Sequence, residues 1–330
     1  MRLLTLVAAV SVIVIAVSLD RHQIKHLIVH LHHSKMAAHQ TRSSRPILVD
    51  QLILFGDSIT QQSFRPDGGS GAALADVYQR KLDVINRGYS GYNTEWALHV
   101  MPHIFPPARL AGETLPRVRA LTIWFGANDA VKSFRSQHVE LPRFKENLHT
   151  FIDHLHDPQS AAYSPATDIL LVSCPPISVV HRREDIIRRF GPGEREDDRD
   201  PRVTAQYAQA VREVALEAQS QKRSGGSGSV VYVDVYGEIE RLAHEAGNGD
   251  SLAGYPKYLS DGLHLTPDGY RAVYALMSAV IARELPRLHP DNLERVFPDW
   301  SVIDPDDPGR SFEDRFAVLR GLKRQDACTT

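Results

Sequence analysis

From residue 47 onward, short apolar runs alternate with longer stretches in which apolar residues recur every three or four positions. No other feature limits the possible folds of the chain as much. The short runs lie at 47–55 (ILVDQLILF), 84–86, 120–125, 169–173 and 230–235, and they are rich in Val, Ile and Leu. Runs of this length, bounded by Gly, Asp and Ser, are expected of strands buried on both faces. Between them, residues 72–82, 141–156, 203–221 and 267–285 carry the spacing of amphipathic helices. Strands alternating with helices of this length predict right-handed βαβ units and a mostly parallel sheet covered on both sides. The expected fold is therefore α/β, a three-layer α/β/α sandwich around a five-stranded sheet.

The segments outside that pattern set the domain organisation. Residues 3–19 form an uncharged apolar run of 17 residues within the opening segment 1–19. As a helix it would be roughly 25 Å long, near the lower limit for a bilayer span. Two readings of it stay open. As an anchor, with Arg21, Lys25, Lys35, Arg42 and Arg45 after it and only Arg2 before it, it would keep the downstream domain cytoplasmic. As a signal-peptide core, with Ala16-Val17-Ser18 as the cleavage site, it would direct the chain to the secretory pathway. Residues 20–46 read as a polar tether, and its histidines (His22, His26, His30, His32, His33) lack the further ligands a metal site would need. A single domain is expected over 47–290, followed by an extension over 291–330 with one short amphipathic helix at 312–322.

Within the domain, residues 182–202 (RREDIIRRFGPGEREDDRDPR) are too dense in charge to pack in a core, and 222–229 (KRSGGSGS) reads as a flexible surface turn. The formal net charge of −2 gives no reason to expect nucleic acid as a partner. The two cysteines, Cys174 and Cys328, read as free thiols. No zinc-ligand spacing occurs, and no metal or cofactor is expected.

Four segments carry the chemistry. Ser58 directly follows the first strand, in Phe55-Gly56-Asp57-Ser58, where an open parallel sheet presents its ligand-binding end. Alone, it could equally be a helix N-cap. Asp261-Gly262-Leu263-His264 precedes the last strong helix. A serine hydroxyl needs a base to take its proton, and an imidazole fixed by a carboxylate supplies one. Gly91, after the second strand, can offer an unobstructed backbone N–H, and Asn128, after the third, a side-chain amide. With the Ser58 N–H these would make a three-donor oxyanion hole. Asp67-Gly68-Gly69-Ser70-Gly71 is glycine-rich but reads as a turn into a helix rather than a phosphate loop. Asp129, Trp96 and Trp124 are candidates to line the site, with core packing the default for both tryptophans.

Taken in order, Ser58, Gly91, Asn128 and His264 resemble the four blocks of the SGNH (GDSL-like) hydrolases over roughly residues 50–285. Ile59 stands where that family usually has Leu. Within the family, the chain is similar to the isoamyl acetate-hydrolysing esterase branch in FGDSITQ (55–61), in 71–97 and in DGLHLTPDGY (261–270). That branch usually begins a few residues before its first strand, which makes Met36 an alternative start and residues 1–35 an added anchor or a gene-model extension. The resemblance implies a flavodoxin-like sandwich and hydrolysis of small-molecule, short-chain esters. Ser58 would be the nucleophile and His264 the base, with Asp261 as its partner. It identifies no protein partner, and membrane contact would run through residues 3–19. Two rivals remain: an acyltransferase using the same triad, and an inactive binding module on the same scaffold.

Overall fold

The computed structural model describes residues 47–111, 114–193, 197–220 and 228–319. The apolar and polar segments at 1–19 and 20–46 lie outside these residues, as do Cys328 and residues 221–227. From Leu48 onward the chain forms one compact unit. Its sheet has five strands, β1 (Gln51–Gly56), β2 (Asp83–Gly88), β3 (Val118–Trp124), β4 (Asp168–Val172) and β5 (Val230–Val233), in the order β2-β1-β3-β4-β5. Every adjacent pair is parallel. Leu52, Ile53, Leu54 and Phe55 of β1 are buried, as are Ile169, Leu170, Leu171 and Val172 of β4. Both faces of these strands are covered, which is why the sequence shows continuous apolar runs rather than alternation.

The helices, in chain order, are α1 (Ser58–Gln61), α2 (Ser70–Val77), α3 (Thr94–Val100), α4 (Leu141–His156), α5 (Val179–Phe190), α6 (Pro201–Ser220), α7 (Val235–Ala246), α8 (Ser251–Tyr258), α9 (Pro267–Glu284) and α10 (Pro308–Leu319). α4 packs against α3 and α6, while α9 packs against α2, α7 and α8, and the two groups supply the outer layers of the α/β/α sandwich. Several starts are capped by short polar side chains. Asn93, Asp234, Asp250 and Thr266 each accept a hydrogen bond from a first-turn N–H of the helix that follows. The expected helix at 72–82 is shorter, ending at Val77, and the one at 312–322 begins earlier, at Pro308. The glycine-rich 67–71 segment is indeed a turn into a helix, with Gly69 as the cap of α2.

One expectation is overturned outright. The charged stretch 182–202 was expected to stay out of the core, yet residues 182–190 belong to α5, and both Asp185 and Arg199 are buried. The buried Asp185 carboxylate is tolerated because it is paired. Asp185 is bridged by Arg188 and by Arg189, the latter at 2.7 Å, across one helical turn. α3, α7 and α8 are also present where no helix was anticipated. Among the described residues, no helix is long and apolar enough to cross a membrane.

Candidate active site

Strand order reverses direction between β1 and β3, and the loops that follow these two strands flank the crevice at their carboxyl ends. Gly56 closes β1 in a turn with no room for a side chain. A Cβ there would lie 2.5 Å from the Trp124 carbonyl oxygen. The cap of α1 is Asp57, whose carboxylate accepts the Ile59 N–H at 2.9 Å. Ser58 is therefore the first residue of the helix, and its hydroxyl is not spent on capping. The first-turn position also leaves its N–H without an intrahelical acceptor.

The Ser58 hydroxyl lies 2.9 Å from His264 Nε2, across 206 residues of sequence. His264 Nδ1 lies 2.8 Å from Asp261 Oδ2. The other Asp261 oxygen accepts the backbone N–H groups of Leu263 at 3.0 Å and His264 at 2.7 Å. Burial alone would raise the Asp261 pKa. The hydrogen bond and charge of His264, with the two backbone donors, instead hold it well below the usual carboxylate range. The turn itself is pinned by an antiparallel bridge between Leu259 and Leu265, and by Ser178, whose N–H donates to the Gly262 carbonyl at 2.8 Å. Gly262 has φ +79°, and a Cβ there would meet the Ser178 carbonyl oxygen at 2.4 Å. Only glycine fits that turn.

Gly91 (φ +81°) follows β2, and its carbonyl accepts the Gln137 amide at 2.6 Å. Asn128 follows β3, is buried, and donates from Nδ2 to the Tyr92 carbonyl at 2.8 Å. The two loops are thus stitched together, and Asp129 adds a second stitch. Its Oδ1 accepts from the Thr94 N–H at 2.8 Å and from the Thr94 hydroxyl at 2.5 Å. Asp129 is fully buried, so it holds the loops and does not line the cleft. Of the two tryptophans, Trp124 is a core residue and donates to the Ser173 carbonyl at 3.0 Å. Trp96 is not; it is 39% exposed and meets the Tyr92 ring edge-on at 5.9 Å.

The structure thus brings Ser58, Asp261 and His264 into one hydrogen-bonded row and ties the Gly91 and Asn128 loops to each other. Sequence reading missed two arginines of the charged stretch. Arg199 reaches Asn128, and Arg182 Nη1 lies 3.9 Å from Asp261 Oδ2. Their signal in the sequence, a run of charges, is the same one that solvated loops give. A row of hydroxyl, imidazole and carboxylate can transfer a proton away from the hydroxyl as it attacks a carbonyl carbon. Cys174, two residues after β4, is a free, buried thiol whose pKa burial pushes up to about 12, which favours the protonated form at neutral pH.

The GDSL-like Lipase/Acylhydrolase family model matches residues 54–272. A GDSL esterase/lipase of Arabidopsis thaliana is 38% identical over 269 residues, covering 80% of this chain and 98% of that protein. An isoamyl acetate-hydrolyzing esterase 1 homolog of Bos taurus is 31% identical over 263 residues, covering 79% of this chain and 91% of that protein. Among solved structures, a carbohydrate acetylesterase family member from Sinorhizobium meliloti matches with a TM-score of 0.43 at 15% identity, covering 74% of this chain and 100% of that one.

Proposed function

The chain belongs to the GDSL-like lipase/acylhydrolase family and is a carboxylic ester hydrolase, and we propose that it acts on short-chain, acetate-type esters through an acyl-enzyme formed on Ser58. The observation that carries this reading is the hydrogen-bonded row from Ser58 through His264 to Asp261. In the proposed reaction, His264 accepts the Ser58 proton as the oxygen attacks the ester carbonyl. Asp261 holds the ring tautomer that leaves Nε2 free to act as base, and it stabilises the imidazolium. The oxyanion is received by the N–H groups of Ser58 and Gly91 and the Asn128 amide. The alcohol departs with the proton from His264, and water repeats the sequence to release the acid.

The acetate end of the substrate range is supported by the bovine relative, an isoamyl acetate-hydrolyzing esterase 1 homolog. A panel of activated esters of increasing acyl length tests both parts of the proposal. Ser58→Ala should lower turnover by at least about a thousandfold while leaving the fold intact, since loss of a triad member costs several orders of magnitude. The wild-type protein should give a burst of alcohol release and favour acetyl and butyryl over long acyl groups. Wild-type turnover in Ser58→Ala would remove Ser58 as nucleophile. A preference for long acyl chains would remove the acetate assignment while leaving the triad standing.

A further inference from the structure

Arg199 is 6% exposed and lies at the end of a stretch that otherwise reads as solvated charge. Its guanidinium spans two consecutive residues of the loop after β3. Nη1 donates to the Ala127 carbonyl, and Nη2 lies 3.4 Å from Asn128 Oδ1. Its Nε finds no acceptor among the described residues. A buried, incompletely satisfied cation is costly to keep, and a well-packed apolar side chain of similar volume is often no worse for stability. The arrangement therefore calls for a reason other than stability.

We infer that Arg199 is a positioning residue that sets the orientation of the Asn128 side-chain amide, so that one of its two N–H groups faces the cleft. This rests on the reading of Asn128 as an oxyanion donor. A carboxamide has one acceptor oxygen and two N–H donors. Here Oδ1 faces the guanidinium and one Nδ2 hydrogen is taken by the Tyr92 carbonyl. The second hydrogen is left to point elsewhere. Rotating the amide by half a turn would set Nδ2 against the cationic guanidinium and Oδ1 against the Tyr92 carbonyl oxygen. Both contacts would become repulsive, so the cation on one side and the carbonyl on the other select a single orientation. A preset donor needs no reorganisation as charge develops on the substrate oxygen, which is where such donors gain their effect.

The mounting of Arg199 fits this role. The neighbouring Asp198 carbonyl accepts the Lys132 N–H at 2.9 Å, tying the segment to the loop that follows Asn128. The Asp198 carboxylate lies 3.6 Å from Arg182 Nε and 3.7 Å from Arg135 Nη2. Burial lowers the Arg199 pKa, with the nearby Arg182 charge adding to the effect, to about 10. The group stays a cation at neutral pH. Lysine would not replace it, because a single ammonium lacks the fork that reaches Ala127 and Asn128 together.

The test is a double-mutant cycle with Arg199→Met and Asn128→Ala, read as kcat and KM on an activated acetate ester, with thermal unfolding recorded for each protein. Asn128→Ala alone should lower kcat roughly 100- to 1,000-fold with KM within about twofold. Arg199→Met should lower kcat about 10- to 100-fold, again with little change in KM, and should cost no further kcat in the Asn128→Ala background. Arg199→Lys should fall between wild type and Arg199→Met, and it carries the same cycle should the methionine variant fail to fold. If Asn128→Ala retains wild-type kcat, the oxyanion reading fails and this inference with it. If Asn128→Ala is slow but Arg199→Met and Arg199→Lys turn over normally, or the two losses multiply in the double variant, Arg199 has no hold on Asn128 and this inference alone is overturned.

Discussion

Asp57 and Asp261 are both buried, and both accept backbone N–H groups near one end of the same row of side chains, yet their surroundings drive them in opposite directions. Asp261 has His264 against it and is held ionised. Asp57 has one backbone donor, and burial outweighs it, raising its pKa to about 7. Asp129, similarly buried, rises to about 6. A carboxyl whose pKa is raised on folding stabilises the folded protein fully below its unfolded value of 3.8, and that contribution is lost as pH climbs through the folded value. For Asp57 the loss spans about pH 4 to 7. Asp57→Asn keeps the capping oxygen for the Ile59 N–H and removes the titration. Its melting temperature relative to wild type should therefore rise from pH 5 to pH 7 and level off above that. Parallel curves for the two proteins over that range would show that Asp57 does not titrate there. None of this was legible in the sequence, which marks Asp57 only as a turn residue beside Ser58. The proposed site residues Ser58, Gly91, Asn128, Asp261 and His264 stand out in the sequence because each occupies a turn directly after a strand or before a helix. Arg199 does not, since nothing in a run such as EREDDRDPR says which charge turns inward.

At the scale of elements, the strands were read well for a physical reason. A central parallel strand is buried on both faces and must be apolar throughout, as Leu52–Phe55 and Ile169–Val172 are. α4, α6 and α9 were found because each is long enough to show a full apolar stripe. α5 was not, because its stripe is broken by Arg182, Arg183, Glu184 and Asp185, and its place in the fold depends on where it docks rather than on what it buries. It docks on the turn that carries Asp261 and His264. The Ser178 N–H, immediately before α5, binds the Gly262 carbonyl, and the Arg182 N–H would be only 2.6 Å from a Cβ at position 262. Gly262→Ala should therefore push α5 and the turn apart as well as straining a positive φ. A loss of about 2 kcal/mol in stability, read by denaturant unfolding, is expected from that combination. Turnover should fall with it, because the Asp261 carboxylate and the His264 ring are carried by the same turn. An alanine variant with wild-type stability and turnover would mean that α5 yields freely, and that the turn owes its shape to the Leu259–Leu265 bridge alone.

At the scale of the whole molecule, the two ends of the chain have different standing. The segment from Pro290 onward is fastened to the region after α2 by several groups. The Val296 N–H donates to the Arg80 carbonyl at 2.7 Å, the Arg80 guanidinium to the Pro298 carbonyl at 2.7 Å, and the Lys81 ammonium to the Pro290 carbonyl at 2.5 Å. Val296 is itself buried. At the other end, the five strands, and every group of the proposed triad, the proposed oxyanion hole and their supports, come after Leu48, and the family match begins at residue 54. The groups that the proposed chemistry uses therefore all lie within the unit that begins at Leu48. The apolar run at 3–19 has the composition for a bilayer or a translocon rather than for an aqueous core. Removing residues 1–46 should leave turnover on a soluble acetate ester within about twofold, since none of the proposed triad or oxyanion donors is among them. Any membrane-associated fraction of the full chain should then move to the supernatant on centrifugation. Removing residues 294–330 should instead lower the melting temperature, because it strips Val296 and the Arg80 partners from the surface they cover. An inactive or unfolded protein after the first deletion would mean that the opening segment contributes to the catalytic unit, and an unchanged melting temperature after the second would mean that the extension is fastened without adding stability.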